Sequence, residues 1–230
     1  MSDTESAAAW DVYARAEKPR RQANKWGERT WFNWTQYADH GPGAEVLALG
    51  PGDSVLDLGC GAGGNAAHLA ALGMKAVGVD LSQEQLRKAR ERWADVPGAE
   101  WHRADALAYL AETPAVFDAV YSVFGAAWFC APASLLPAVH ARIRPGGVLA
   151  MSQRPPREGC YGRQAAYIPR GADEDPAIVT RWDHEPEAWC SLLRDHGFRE
   201  ATATVLDAPR GGKRTVGTLL IRAIRGGSPR

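Results

Sequence analysis

The chain has 230 residues, of which 45% are hydrophobic and 23% charged, so it is long enough for one folded domain with a sizeable core. Its formal net charge is zero, which removes any global electrostatic case for a nucleic acid or an anionic membrane as partner. The four cysteines lack C-x-x-C or zinc spacing, the first residues lack a signal core, and no apolar run reaches about 20 residues. We therefore expect free thiols, no metal site, no membrane association and a cytoplasmic location.

Residues 1–50 differ in composition from the rest of the chain and hold four of its nine tryptophans. Helical patterns run from Ser6 to Arg21 and around Arg29 to Tyr37, and a short helix is expected from Ala44 to Leu49. The aromatic content predicts an N-terminal helical region that closes over an acceptor as a lid, with a second domain over residues 51–230.

Two basic clusters interrupt the otherwise even charge. The first comprises Arg15, Lys18, Arg20, Arg21, Lys25 and Arg29, and the second comprises Arg210, Lys213 and Arg214. A solvated surface is the favoured interpretation of both, and attraction of an anionic acceptor is the alternative.

Residues 51–230 alternate between strand and helix patterns. Strands are predicted at 54–58, 75–80, 99–103, 117–123 and 148–153, and helices at 63–72, 83–95, 106–111, 132–143 and 186–196. A loop rich in proline, glycine and arginine is predicted from Arg154 to about Asp175. The last two strands, 198–207 and 215–223, have a short glycine-rich link and must pair antiparallel. The sequence thus predicts an α/β fold, a doubly wound Rossmann-like sheet of mostly parallel strands with a terminal antiparallel β-hairpin.

A glycine-rich string follows the first of these strands and opens the next helix. Glycines allow a tight turn there and let a ligand approach the backbone at the carboxyl edge of the sheet. Asp80 ends the next strand, about 20 residues on, where a carboxylate accepts hydrogen bonds from ribose hydroxyls. The string fits G-x-G-x-x-G through Gly64 and G-x-G-x-G through Gly63, so its glycines alone permit more than one nucleoside cofactor.

Several motifs, in order along the chain, resemble those of class I S-adenosylmethionine-dependent methyltransferases. The string VLDLGCGAG over residues 55–63 is similar to their first motif, and residues 78–82 are similar to their ribose-binding segment. Residues 104–106 resemble the segment that grips adenine, residues 117–122 their fourth strand, and residues 144–149 the turn into their fifth. The closing hairpin is also typical of that family.

The resemblance implies S-adenosylmethionine as cofactor and assigns roles by motif position. Backbone of the glycine turn would contact the methionine part, Asp57 its ammonium group, Asp80 the ribose, and Asp105 with the next amide the adenine edge. Aromatic residues of the N-terminal region are expected near the sulfonium, where cation–π attraction operates. The predicted cofactor contacts are Asp57, Gly59, Cys60, Gly61, Gly63, Asp80, Leu81, Asp105, Ala106, Ser122, Tyr13 and Trp34.

No residue type in the sequence singles out a general base, and His40 and His184 are the two candidates. Residues 122–129 lack the Asn-Pro-Pro-aromatic signature of amino-methylating DNA enzymes, and no nucleic-acid module is evident. The main hypothesis is methyl transfer to an oxygen or nitrogen of a small-molecule acceptor, by in-line displacement with positioning as the main catalytic device. The sequence leaves open an RNA or protein methyltransferase, a nicotinamide-dependent oxidoreductase and a non-catalytic cofactor-binding regulator, and it does not decide the oligomeric state.

Overall fold

A computed structural model of the chain describes residues 3–16, 21–169, 175–212 and 214–227, with the backbone alone for residues 3–6. The strands of the described residues are β1 (Ser54–Leu58), β2 (Lys75–Asp80), β3 (Ala99–Arg103), β4 (Phe117–Val123), β5 (Ile143–Gln153), β6 (Gly162–Ile168), β7 (Ala177–Asp183), β8 (Phe198–Leu206) and β9 (Thr218–Arg225). The α-helices are α1 (Asp3–Ala16), α2 (Gly64–Ala71), α3 (Gln83–Arg92), α4 (Ala106–Glu112), α5 (Ala126–Phe129), α6 (Pro132–Arg142) and α7 (Pro186–Asp195). Among these described helices, none has the length and apolar character needed to cross a membrane.

The central feature is a seven-stranded sheet in the order β3-β2-β1-β4-β5-β9-β8. Strands β1 to β5 pair parallel, whereas β9 pairs antiparallel with both β5 and β8. This arrangement confirms the predicted Rossmann-like sheet with its terminal hairpin. Because β2 and β4 lie on opposite sides of β1, the strand order reverses next to β1, and ligands bind at such a switch point in open α/β sheets.

The predicted bounds of β1 to β4 are confirmed to the residue. Each of these strands is a short run that ends near a glycine, an acidic residue or a helix cap. The hydrophobic pattern and the residues that terminate the strand therefore predict the same boundary. The predicted cap of α3 is also present, since Ser82 Oγ accepts a hydrogen bond from the Gln85 amide at 3.2 Å.

Both faces of the sheet are covered. On one face α4, α6 and α7 supply buried residues such as Leu110, Leu135 and Trp189. On the other, α2 packs together with residues 32–47, whose Trp34 and Leu47 are fully buried. Part of the N-terminal region therefore belongs to the core of the domain that follows it.

The predicted helix from Arg29 to Tyr37 is wrong, because this segment is irregular. Its side chains bond to their own backbone: Asn33 Oδ1 accepts from the Thr35 amide at 3.0 Å, and Thr35 Oγ1 donates to the Tyr37 carbonyl at 2.9 Å. Such local bonds compete with helical ones. The helix predicted from Ser6 to Arg21 is observed as α1 over Asp3–Ala16, residues 17–20 lie outside the described part of the chain, and Arg21 is not helical. The predicted helix from Ala44 to Leu49 is a shorter 3₁₀ turn over Ala44–Leu47.

The predicted loop from Arg154 to about Asp175 is wrong over Gly162–Ile168, which form β6, and residues 170–174 of it lie outside the described part of the chain. Strands β6 and β7 form an antiparallel ribbon apart from the main sheet. The ribbon packs on α1, where Ile168 and Val179 bury Ala9. Since β6 has no clean apolar alternation, its pairing with β7 rather than its own pattern stabilises it.

Of the two basic clusters, Lys18, Arg20 and Lys213 lie outside the described residues. Two members of the first cluster form ion pairs with acidic residues, Arg21 with Asp39 at 2.7 Å and Arg29 with Asp95 at 2.5 Å. These two arginines are thus partly neutralised at the surface.

Trp34→Ala is expected to lower the free energy of unfolding by about 3–5 kcal/mol, because it removes a fully buried indole. The ring centroid lies 6.0 Å from that of Tyr121, and Nε1 donates to the Gly43 carbonyl at 2.9 Å. Urea unfolding followed by circular dichroism measures the change. Trp26→Ala is the control, since Trp26 is 68% exposed and its loss should leave stability within about 0.5 kcal/mol. Equal destabilisation by the two variants would contradict the core position of Trp34.

Candidate functional site

In the turn after β1, the backbone conformation requires glycine at some positions and not at others. Gly59, Gly61 and Gly63 have φ of 81°, 55° and 73°, a region that side chains rarely adopt. A Cβ on Gly59 would lie 2.3 Å from the backbone nitrogen of Ala126, whereas Gly64 has nothing within 4 Å and no positive φ. The structure therefore selects the G-x-G-x-G interpretation of the string.

Gly63 has a structural reason of its own. A Cβ there would lie 2.4 Å from the ring of Trp101 on β3, the strand beyond β2. Packing against this indole therefore requires a residue without a side chain at position 63.

Asp80 holds the glycine turn from the end of β2. Its Oδ2 accepts from the Gly61 amide and its Oδ1 from the Ser82 amide, both at 2.8 Å. The carbonyl of Val79 accepts from the Gly59 and Cys60 amides at 2.8 and 3.0 Å. The carboxylate predicted to bind ribose is therefore beside the turn, and Leu81 follows it in a half-buried position.

Asp57 is an acidic side chain with only 3% exposure, on β1 directly opposite Tyr121 of β4. Burial raises the pKa of the Tyr121 hydroxyl well above its usual value, and the neighbouring Asp57 carboxylate raises it further. A buried carboxylate at the end of a strand favours a cationic partner. An ammonium group meets that requirement.

Asp105 follows β3 and caps α4, where its Oδ1 accepts from the Leu107 and Ala108 amides at 2.9 and 3.1 Å. The Ala104 amide donates to the Asp80 carbonyl, which ties this loop to the end of β2. Ala106 begins the helix and is buried. Carboxylates thus lie at the carboxyl edge of three adjacent strands, β1, β2 and β3, and these hydrogen-bond acceptors fit a nucleoside that carries an ammonium group.

These features have counterparts in known proteins. Residues 55–147 match the sequence model of a family described as a methyltransferase domain. Residues 55–147 therefore belong to a methyltransferase domain family, and this part of the chain is similar to S-adenosylmethionine-dependent methyltransferases. This family uses S-adenosylmethionine as its cofactor.

Two curated relatives and one solved structure illustrate the similarity of this methyltransferase domain to others. Trans-aconitate 2-methyltransferase of Azoarcus sp. is 37% identical over 173 residues, which cover 71% of this chain and 60% of the relative. Ubiquinone biosynthesis O-methyltransferase of Albidiferax ferrireducens is 31% identical over 137 residues, or 56% of this chain and 54% of the relative. A putative S-adenosylmethionine-dependent methyltransferase from Listeria monocytogenes shares the fold with a TM-score of 0.61 at 19% identity, over 77% of this chain and 91% of that one. The chain thus spans a little over half the length of the two curated relatives.

Two of the predicted cofactor contacts, Ser122 and Trp34, are buried and hydrogen-bonded within the protein. Ser122 is buried, and its Oγ donates to the Leu58 carbonyl at 2.6 Å and accepts from the Ala127 amide at 3.2 Å. Trp34 is fully buried with its indole nitrogen bonded to a carbonyl. We therefore leave both out of the proposed site. Tyr13 lies on α1 with 41% exposure, its ring edge-on to Trp10.

Helix α1 contributes a residue that the sequence analysis missed. Asp11 Oδ1 accepts from the hydroxyl of Ser82 at 2.5 Å and from the Glu84 amide at 3.1 Å. These bonds attach α1 to the start of α3, two residues after Asp80. No local pattern marks Asp11, because its partners are about 70 residues away in sequence.

A second missed group lies where the ribbon meets α5. Asp183, with 2% exposure, accepts from Trp128 Nε1 at 2.8 Å and from Arg181 Nε at 2.9 Å. The signal that was available is the string AIVTRWD over residues 177–183, which is rich in β-branched and aromatic residues and predicts a strand.

The two candidate bases occupy enclosed or bonded positions. His40 Nε2 lies 2.8 Å from the Asp207 carbonyl, near the end of β8. The ring of His184 stacks on Trp182 and meets the edge of Trp189, and burial lowers its pKa. Its Nε2 is buried without a hydrogen-bond partner among the residues described.

Proposed function

We propose that this chain catalyses S-adenosylmethionine-dependent methyl transfer to an oxygen atom of a small-molecule acceptor. The observation that carries the proposal is Asp80, whose carboxylate joins the glycine turn to the end of β2 at the switch point of the sheet. The family supports the donor. The relatives' names support a small-molecule acceptor and, in one case, an oxygen atom.

In this proposal each part of the cofactor meets a group of matching chemistry. Asp57 pairs with the ammonium, Asp80 accepts from the ribose hydroxyls, and Leu81 packs against the adenine. Asp105 and the Ala106 amide bind the adenine edge, and backbone of Gly59, Cys60 and Gly61 lines the methionine part. When bound, S-adenosylmethionine supplies a methyl group on a positively charged sulfur, which reacts without further activation. The chain's own task is to align an acceptor oxygen with that methyl group and to exclude water, and alignment of this kind is worth about 7–11 kcal/mol.

We propose that the acceptor binds beyond the end of β4, under a cover made by α1 and the ribbon. Phe124 follows β4, and its ring lies edge-on to Trp128 at 6.1 Å. The ring centroid of Trp10 on α1 lies 4.9 Å from that of Phe129. The helix therefore reaches the same aromatic wall, which Phe124, Trp128 and Phe129 form. The lid assigned to residues 1–50 then has two parts, since α1 covers the wall whereas residues 32–47 are anchored in the core.

The direct test is an assay of the purified protein with S-adenosylmethionine and trans-aconitate, then with a set of hydroxyl and amine acceptors. We expect S-adenosylhomocysteine, detected by mass spectrometry, to form only when an oxygen acceptor is present. A protein that binds S-adenosylhomocysteine but turns over no acceptor would be the non-catalytic regulator. Turnover of amines alone would refute the oxygen assignment.

The His40→Ala and His184→Ala variants are expected to retain at least a third of wild-type turnover. His40 is bonded to a backbone carbonyl, and Nε2 of His184 is enclosed by protein, so neither is poised to take a proton from an acceptor. Initial rates at saturating donor, with the affinity for S-adenosylhomocysteine measured in parallel, check this. A variant with unchanged affinity and a hundredfold lower rate would identify its histidine as the general base.

A further inference from the structure

The ribbon of β6 and β7 presents one of its two faces to the rest of the molecule. Side chains alternate along each strand, so Ala177, Val179, Arg181 and Asp183 share a face of β7. At one end of this inward face Val179 and Ala177 are buried with Ala9 of α1, and Trp10 and Phe129 pack against them. The other end carries the charged pair, Arg181 and Asp183.

The guanidinium of Arg181 is held in a fixed plane. Its Nε donates to Asp183 Oδ2 at 2.9 Å, and its carbon atom Cζ lies 5.3 Å from the centroid of the Trp128 ring. Asp183 is in turn fixed by the indole N–H of Trp128 at 2.8 Å. The aspartate thus orients the arginine through one donor, whereas a guanidinium carries five.

The position of Arg181 relative to the glycine turn follows from α5. This helix begins at Ala126, whose backbone nitrogen is in close contact with Gly59, and it carries the Trp128 ring on which Arg181 lies. The Arg181 side chain is 28% exposed although its partner is buried, so part of it remains accessible to a ligand. A rigid, partly desolvated guanidinium of this kind binds carboxylates in a bidentate manner.

We propose that Arg181 binds a carboxylate of the methyl acceptor, so that the acceptor is a small carboxylic acid with an anionic group besides its reacting oxygen. This inference rests on the proposed function and names the substrate class of the same site. Asp183 and Trp128 serve as positioning residues that hold the guanidinium.

The ribbon supplies its own control for the test. Arg163 lies on β6 and faces outward, exposed, with Nη2 donating to Thr180 Oγ1 at 3.4 Å. Arg181→Gln and Arg163→Gln make the same change of charge on opposite faces of the ribbon. Arg181→Lys keeps the charge but loses the planar fork.

The experiment is calorimetry of tricarballylate, a saturated tricarboxylate, binding to the full chain saturated with S-adenosylhomocysteine. We expect Arg181→Gln to weaken tricarballylate binding by about 10- to 100-fold, Arg181→Lys to lie between it and the wild type, and Arg163→Gln to change it less than twofold. The affinity for S-adenosylhomocysteine should not change in any variant, which shows that each is folded. The neutral trimethyl ester of the probe should bind the wild type and Arg181→Gln equally.

The inference is overturned if the wild type does not bind the tricarboxylate, or if the two glutamine variants bind it alike. A merely structural role of Arg181 predicts equal losses for the acid and its ester, and that result would also overturn it. Because binding is measured without turnover, the absence of any methyl transfer would refute the proposed function and leave this result standing. Conversely, turnover of neutral acceptors without carboxylate binding would refute only the inference.

Discussion

Asp80→Ala is expected to weaken the binding of S-adenosylhomocysteine by about 10²- to 10⁴-fold. A carboxylate at this position offers two charge-assisted hydrogen bonds to a ribose, each worth about 1.5–3 kcal/mol. The structure adds a second cause, because the same carboxylate accepts from the Gly61 and Ser82 amides. Removing it therefore takes away the ligand contact and loosens the turn that shapes the site.

Isothermal calorimetry measures the affinity, and Asp95→Ala is the control. Asp95 is also a carboxylate in an ion pair, but it is exposed and bonds Arg29 at the surface, so its loss should leave the affinity within twofold. Asp80→Asn should fall between Asp80→Ala and the wild type, since one amide oxygen remains as an acceptor. An Asp80→Ala protein that binds within threefold of the wild type would remove Asp80 from the cofactor site.

Gly59→Ala is expected to abolish measurable cofactor binding and to lower the melting temperature strongly. The new Cβ would lie 2.3 Å from the Ala126 nitrogen and 2.8 Å from the Gly125 Cα, both backbone atoms that no rotamer change can move. The left-handed φ of 81° adds about 1–2 kcal/mol of strain for alanine. Relief requires β1 and β4 to separate at their carboxyl ends, which is where the site is built.

Gly64→Ala tests the same string at a position with open space. It begins α2, has no positive φ and has nothing within 4 Å of an added Cβ, so we expect unchanged binding and a slight gain in stability. Thermal melts with and without S-adenosylhomocysteine separate the two effects. If Gly64→Ala were as harmful as Gly59→Ala, the dinucleotide-type interpretation through Gly64 would be restored.

The strands of the main sheet were predictable because their pattern and their boundaries agree. Strand β1 is an apolar run stopped by glycines, and Asp80 closes β2, so local chemistry marks both ends. The antiparallel pairing of the terminal hairpin followed from its short link. Strand-end logic located Asp80 at the carboxyl edge of the sheet, whereas Asp57 and Asp105 were assigned to the same site by the resemblance to the methyltransferase family.

The N-terminal segment and the ribbon were not predictable in the same way. Aromatic spacing in residues 29–37 imitates a helix, yet Asn33 and Thr35 bond their own backbone, and Trp34 is buried because it fills a space on the distant sheet. Asp11 and Asp183 obtain their partners from other elements, so no window of sequence contains both sides of the contact. These features depend on tertiary contacts, which the pattern of a single segment does not contain.

The attachment of α1 has a consequence for how the chain folds. Its contacts join Asp11 to Ser82, 71 residues later, and Ala9 to Ile168 and Val179 of the ribbon. Contacts of such long sequence separation carry the largest loop-closure entropy and form late. Helix α1 is also short, with 14 residues, and is only marginally stable alone in water. Helix α1 is synthesised before every surface it packs on, so we expect it to dock fully only after the ribbon has formed.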